Sequence, residues 1–507
     1  MFNFWKKITA GELTASGIPE TYLHKMSSTL VEKNEIAAEF YTKYNVKRGL
    51  RNANGTGVIV GLTQISEVNG YRVSDQGEKI PEQGSLFYRG YNIEDLVASY
   101  VAENRFGFEE VTYLLLFGEL PTRSELNEFI ALVSAKRELP PGFARDMILT
   151  TPSKSLMNKL ARSVLALYCY DEDPDNTAIE NVLRQSIDLM GYFPALIAYA
   201  YQAKSSFFDN QSLHLHNPLP TLSTAENILR MIRPTGEYTE MEAKVLDICL
   251  VLHAEHGGGN NSTFTTHVIS SSGSDTYATI SAAVGSLKGP KHGGANVAVL
   301  SMLEDLKKHV KDITNPSEVE AYLTKVLKGE ANDGSGLVYG MGHAIYTLSD
   351  PRAVLLRGMA QELAKSKGLE ADFQLCEYIA EMTPRLYTQV TGIDKPLSPN
   401  VDLYSGFVYN ALDIPMDIAT PLFAVARLSG WAAHRMEELI AGKRLIRPAY
   451  VNVLPYRDFV DINHRKERIV ANGNNGNGNG HGNGKPAKAK AVAKAPKARR
   501  TPAPNIE

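Results

Sequence analysis

Cysteine is nearly absent from this chain: there are three in 507 residues, Cys169, Cys249 and Cys376, with no CxxC pair among them. So sparse and odd a count excludes a disulfide-built scaffold and fits reduced thiols in a cytoplasmic protein. Long apolar runs are missing too. The longest near-apolar stretch, residues 190–201, contains Pro194 and is too short to span a bilayer, so no membrane segment is expected. The start, MFNFWKKITAGELTASG, has no apolar run behind its lysines, and neither an export nor an import leader is expected. A net charge of −3 conceals a split between a tail of about +6, residues 471–507, and a body of about −9. An acidic body argues against nucleic acid as a partner. The tail, an Asn/Gly spacer followed by a Lys/Ala/Pro arm, has no hydrophobic period and is expected to be disordered. It leaves weak polyanion binding open. The folded body is expected to end near Ile469.

What is present reads as helix. Ser223 with Glu226 and Thr239 with Glu242 form capping boxes, each opening a helical run. Val245, Cys249 and Leu252 then repeat at helical spacing, as do Ala295, Val299, Met302, Leu306 and Val310. Segments 109–117 and 124–137 look alike in kind, and Asp350-Pro351 opens a further helix. Strands are expected only at 57–64 and 85–88. The predicted architecture is all-α with minor N-terminal strands, and no repeat suggests a solenoid.

The unusual residues lie in the loops between helices. His253-Ala254-Glu255-His256-Gly257-Gly258-Gly259 follows a helix; its HxxH spacing falls short of HExxH and no cysteine is near, so metal is not expected there. His292 precedes the helix at Ala295, where the positive helix end disfavours the imidazolium and a neutral ring can still donate a hydrogen bond. Tyr339-Gly340-Met341-Gly342-His343 lacks the GxGxxG pattern of a dinucleotide site. Arg352, in the first turn of a helix, opposes the dipole, a conflict that an anion at the same place would resolve. Asp402 stands before a helix, where Asp is a favoured N-cap, and is also a loop carboxylate available to a site. Arg427, inside an otherwise apolar helix, calls for a carboxylate partner. Together these describe a site for anionic substrates with acid–base chemistry.

The order and spacing of these blocks, with Tyr88-Arg89-Gly90-Tyr91-Asn92-Ile93-Glu94-Asp95-Leu96 upstream, resemble citrate synthases from about Gly57 to Arg447. The resemblance implies a Claisen-type condensation of acetyl-CoA with oxaloacetate, giving citrate and CoA through an enol(ate) and citryl-CoA. It implies Asp402 as the base, His292 as donor to the enolate oxygen and His343 as donor to the ketone of oxaloacetate. His256, Arg352 and Arg427 would hold the carboxylates, with Arg447 reaching over from a neighbouring subunit of a homodimer or larger homo-oligomer. Leu337, Val338, Tyr339, Gly340, Met341 and Gly342 would recognise CoA. No cofactor and no metal are required, acetyl-CoA being a substrate. The implied fold has two domains: residues 1–293 and 414–470 form the large one, and 294–413 the small one, which closes over oxaloacetate.

Two stretches fall outside the family pattern: residues 71–84, which look long, and the basic tail. Within the family, 2-methylcitrate synthase uses the same residues on propionyl-CoA and is the nearest rival. From another class, a non-catalytic scaffold acting through its tail would have no use for His292, His343 and Asp402 together.

Overall fold

The computed structural model describes Ile18 and residues 20–465. Ile469 and the basic tail lie outside them. Contacts divide the chain into a unit ending at Val451 and a second beginning at Asn452, whose described part contains a single short turn of helix, Ile462–His464. The site lies wholly in the first unit.

Local signals place the helices. The two expected capping boxes are formed, and a third, Thr122 with Glu125, opens another helix. In chain order the helices are α1 (Glu20–Asn34), α2 (Ala38–Lys43), α3 (Ile93–Ala102), α4 (Phe108–Phe117), α5 (Arg123–Ser134), α6 (Leu156–Leu167) and α7 (Ile179–Phe208). Then follow α8 (Thr224–Ile232), α9 (Glu240–His253), α10 (Asn261–Ser271), α11 (Thr276–Leu287), α12 (Ala295–His309) and α13 (Pro316–Leu327). The last four are α14 (Pro351–Lys367), α15 (Glu370–Thr391), α16 (Val401–Ala411) and α17 (Met416–Glu437).

Helix α17 is the axis of the core. Every residue from Ile418 to Met436 is buried, and it packs against α4, α6, α7, α9, α10, α11, α12 and α16. A helix apolar all round has no other place to go. Its polar residues must therefore find partners within the protein. Arg435 does so through neutral groups alone, donating to Ser270 Oγ, Thr276 Oγ1, Thr279 Oγ1 and the Ser274 carbonyl at 2.8 to 3.2 Å.

Of the two expected strands, 85–88 falls within a longer strand, Lys79–Tyr88, and the other lies later than expected. The run at 57–64 meets no strand among the described residues and leaves Ile59 and Leu62 on the surface, because apolar alternation without a partner cannot complete a ladder. Instead β1 (Ser66–Val73) pairs antiparallel with β2 (Lys79–Tyr88), and β2 with the short β3 (Tyr91–Asn92). The unassigned stretch 71–84 is the tip and inner arms of this hairpin. Its register shifts between Asn69 and Tyr71, and there it meets the loop that carries His343. Thr347 Oγ1 donates to the Gly70 carbonyl at 2.6 Å, and Ser349 Oγ accepts from the Gly84 N–H at 3.0 Å. A Cβ on Gly70 would stand 2.7 Å from both Ile345 O and Tyr346 Cα.

Gly70→Ala is therefore predicted to destabilise the protein by about 1–3 kcal/mol, the cost of overpacking against backbone that cannot rotate away. Equilibrium denaturation checks this; an unchanged midpoint would mean that hairpin and loop do not touch.

Candidate active site

Three loops and one helix bring the expected residues together. The turn after α9 carries His256. The segment before α12 carries His292, the loop after α13 carries His343, and the first turn of α16 carries Asp402. Segment 340–342 is laid antiparallel against 398–400: the Gly342 N–H donates to Ser398 O at 2.7 Å, the Asn400 N–H to Gly340 O at 2.9 Å, and Asn400 Nδ2 to Gly342 O at 2.8 Å. This pairing fixes His343 relative to Asp402. It also explains Gly340, which has φ +83° and whose Cβ would lie 2.9 Å from Leu403 Cβ. Asp402 is not the N-cap of α16. Asn400 caps the helix by accepting from the Asp402 N–H at 2.9 Å, and so leaves the Asp402 carboxylate uncommitted.

The imidazoles are held in defined forms. His343 Nδ1 accepts the backbone N–H groups of Ile345 and Tyr346 at 3.1 and 3.2 Å, so its proton sits on Nε2. His292 Nε2 faces the Ser262 N–H at 3.3 Å and Ser262 Oγ at 3.0 Å, which places its proton on Nδ1. Ser262 is held by Trp431 Nε1 at 3.1 Å and Asn260 Oδ1 at 2.9 Å. Burial, reinforced by Arg427 for His292 and chiefly by Arg352 for His343, lowers both rings to about 4. His256 is also pushed well down, by burial and then by Arg352. Its ring stands edge-on to His343 with centroids 5.0 Å apart, and Tyr346 OH lies 3.3 Å from its Nε2.

Charge is distributed unevenly around these rings. The conflict at Arg352 is resolved by the chain itself: Asp350 caps α14 and takes the Arg352 guanidinium in a fork, at 3.0 and 2.8 Å. The anion expected at that place is a carboxylate of the chain, which reaches both the helix N–H and the side chain. Asp350 also accepts the Val401 N–H at 3.2 Å, joining α14 to α16. Arg427 is different. It is fully buried, donates from Nε to the His253 carbonyl at 2.8 Å, and leaves Nη1 with no hydrogen-bond partner. Burial lowers it to about 10. Its charge is felt at His292, His256 and Asp402, which marks these groups as neighbours. Asp402 is raised to about 6, burial outweighing the opposing pull of Arg352 and Arg427.

Not every expected residue joins the cluster. Arg447 is exposed after α17 and makes no ion pair with a described residue. Of the segment expected to recognise CoA, Val338 is buried and Leu337 is exposed, while Tyr339 OH donates to Asp333 Oδ2 at 2.6 Å. Ser262, Tyr346, Asp350 and Asn400 were missed as site residues although their motifs were in view. Each acts by fixing another residue, and such roles leave no mark on composition.

Histidine NMR with isotopic labelling tests this geometry. His292 is expected as the Nδ1–H form and His343 as the Nε2–H form, neither gaining a proton until the pH approaches about 4. A ring titrating near the ordinary 6.5 would refute the assignment for that ring.

Comparison with known proteins gives the family. The model for citrate synthase, C-terminal domain, matches residues 52–449. A citrate synthase of Synechocystis sp. is 33% identical over 82% of this chain and 94% of its own length. The 2-methylcitrate synthase 2 of Corynebacterium glutamicum is 34% identical over 80% and 94%. Among solved structures, the ternary complex of Thermoplasma acidophilum citrate synthase with carboxymethyl coenzyme A and oxaloacetate is similar at a TM-score of 0.67 and 26% identity, over 83% of this chain and 99% of that one. With its helical fold, its converging histidines and this span of similarity, the chain belongs to the citrate synthase family and is an enzyme of the transferase class.

Proposed function

We propose that this chain condenses acetyl-CoA with oxaloacetate to give citrate and free CoA. The observation that carries the reading is the pairing of two neutral imidazoles, each with one N–H left uncommitted by its backbone contacts, with a carboxylate whose proton affinity is raised. Asp402 takes a proton from the thioester methyl group. The electron pair moves to the thioester oxygen, where His292 Nδ1–H stabilises it; a preorganised donor of this kind contributes about 3–4 kcal/mol. The enol carbon then attacks the ketone carbon of oxaloacetate while His343 Nε2–H protonates the ketone oxygen. Water cleaves the resulting citryl-CoA to citrate and CoA. Arg427, with its unpartnered Nη1, Arg352 and His256 hold the carboxylates of oxaloacetate. Residues 337–342 receive the CoA moiety.

In this reading residues 294–413 form the smaller domain and close over oxaloacetate, so that water is excluded until the carbon–carbon bond exists. Arg447, which makes no ion pair among the described residues, completes the site of a neighbouring subunit. The apolar surface of α1, which buries none of its residues and leaves Leu30 and Val31 exposed, supports a homodimer or larger assembly. No helix among the described residues is long and apolar enough to cross a membrane. In this reading the reaction runs in the cytoplasm, at the entry to the tricarboxylic acid cycle. A second reading rests on the likeness to a 2-methylcitrate synthase: propionyl-CoA in place of acetyl-CoA. One methylene is worth about 1–3 kcal/mol of discrimination, so the two activities share one set of catalytic residues.

Thiol release across an acyl-CoA series separates these readings. Acetyl-CoA is expected to give the higher kcat/KM, and a preference for propionyl-CoA would select the second. Asp402→Asn is expected to lower CoA release by at least about 10²-fold, the scale of positioned proton transfer. For the unaltered enzyme, kcat/KM should fall as the pH drops through about 6, because Asp402 acts only when deprotonated. An acid limb set instead by imidazole protonation near 4 would show that Asp402 is not the base.

A further inference from the structure

The end of α17 carries a second concentration of ionisable side chains that the condensation does not use. His434 Nε2 lies 3.1 Å from Glu255 Oε1, and His267 Nδ1, on α10, lies 2.8 Å from Glu438 Oε2. Carboxylates only accept, so each ring gives its proton on that side to a glutamate. Glu437 accepts the Gln64 N–H through Oε1 at 2.7 Å, which leaves Oε2 buried and without a hydrogen-bond partner. The inward atoms then face one another. His267 Nε2 stands 3.2 Å from His434 Nδ1, and Glu437 Oε2 stands 3.7 Å from the same nitrogen.

With both rings neutral, the two inward nitrogens and the carboxylate oxygen are all acceptors and lie within 4.8 Å of one another, a repulsion that a metal ion or a proton relieves. The two nitrogens are already spaced for a metal, and a small side-chain shift of Glu437 toward His267 brings Oε2 into the same shell. Metal–nitrogen bonds of about 2.0–2.1 Å at tetrahedral angles set two ligand nitrogens roughly 3.3 Å apart. The outer contacts are those of a built site, because metal-binding histidines are characteristically oriented by a carboxylate on their other nitrogen. Room exists beside the ligands as well. The side chain that Gly258 lacks would begin 3.7 Å from His267 Nε2 and 3.9 Å from His434 Nδ1.

We propose that His267 Nε2, His434 Nδ1 and Glu437 Oε2 bind one divalent transition-metal ion of the zinc class, with water in the remaining position. The ion fastens α10 to the end of α17 and to the strand-entry segment at Gln64. It lies one hydrogen bond from Glu255, the neighbour of His256, and outside the substrate cluster. The competing occupant is a proton: although burial opposes it, Glu255 lifts His434 to about 9, so the imidazolium also fills the gap.

Metal titration of the untagged full-length protein decides between them. After chelator treatment, calorimetry with Zn²⁺ is expected to show one saturable site per chain. Co²⁺ is expected to give the visible bands of a four- or five-coordinate ion. Both signals should weaken by at least about tenfold in Glu437→Gln, which keeps an acceptor for Gln64, and in His267→Ala. Absence of saturable binding, or binding unchanged in both variants, would overturn the proposal and leave the proton as the occupant. Should His267→Ala fail to fold, Glu437→Gln and the cobalt spectrum of the unaltered protein still decide.

Discussion

A backbone N–H carries a proton it cannot surrender, so an imidazole nitrogen placed against one must present its lone pair. The candidate site depends on this constraint twice. Ile345 and Tyr346 impose it on His343, and Ser262 imposes it on His292. In each case the opposite nitrogen is left as a neutral donor, and burial removes the option of a charged ring. Much of the surrounding architecture serves to hold those amides still. Trp431 anchors Ser262 from the central helix, and the antiparallel pairing of 340–342 with 398–400 anchors the His343 loop. The β1–β2 hairpin presses on the same loop from the other side.

Low polarity acts on every ionisable group here, and the direction of its effect depends on charge sign. It pushes imidazoles and Arg427 down and Asp402 up, since in each case the charged form is the one that loses hydration. The two arginines show how partners modify this. Arg352 is neutralised by Asp350, whose carboxylate also links α14 to α16 through the Val401 N–H. Arg427 hydrogen-bonds a carbonyl and no carboxylate, although the charge of Glu255 lies near it. Leaving a buried guanidinium nitrogen without a hydrogen-bond partner is destabilising in the free protein. A fold that retains it holds a standing attraction for an anion.

Legibility followed the range of the interaction. Capping boxes, helical periods and the Pro at the start of α14 are local, and the sequence alone located them. The histidines, Asp402 and the arginines were found because each is a residue type out of keeping with its setting. Contacts between distant segments were not legible. Nothing near Arg352 distinguishes a capping Asp350 that also binds the guanidinium from one that merely caps. The strand misplaced to 57–64 is the same failure, because alternation reports a face and not a partner. His267 and His434 stayed silent for the same reason: they lie 167 residues apart and meet only because α10 packs on α17.

The electrostatics also bear on the order of events in the proposed reaction. Before substrate arrives, Arg352 and Arg427 both oppose protonation of Asp402. A dicarboxylate bound at Arg427 offsets part of that field and places new negative charge nearby, which raises the proton affinity of Asp402 further. The same charge raises the proton affinity of His343, yet its backbone contacts keep Nδ1 as an acceptor, and a second proton on that ring would have to displace two amides. Oxaloacetate therefore strengthens the base more readily than it charges the donors. An acyl thioester entering first would meet a weaker base and no electrophile. Binding of the dianion thus prepares the site for the thioester, and proton abstraction becomes favourable only where there is a ketone for the enol to attack.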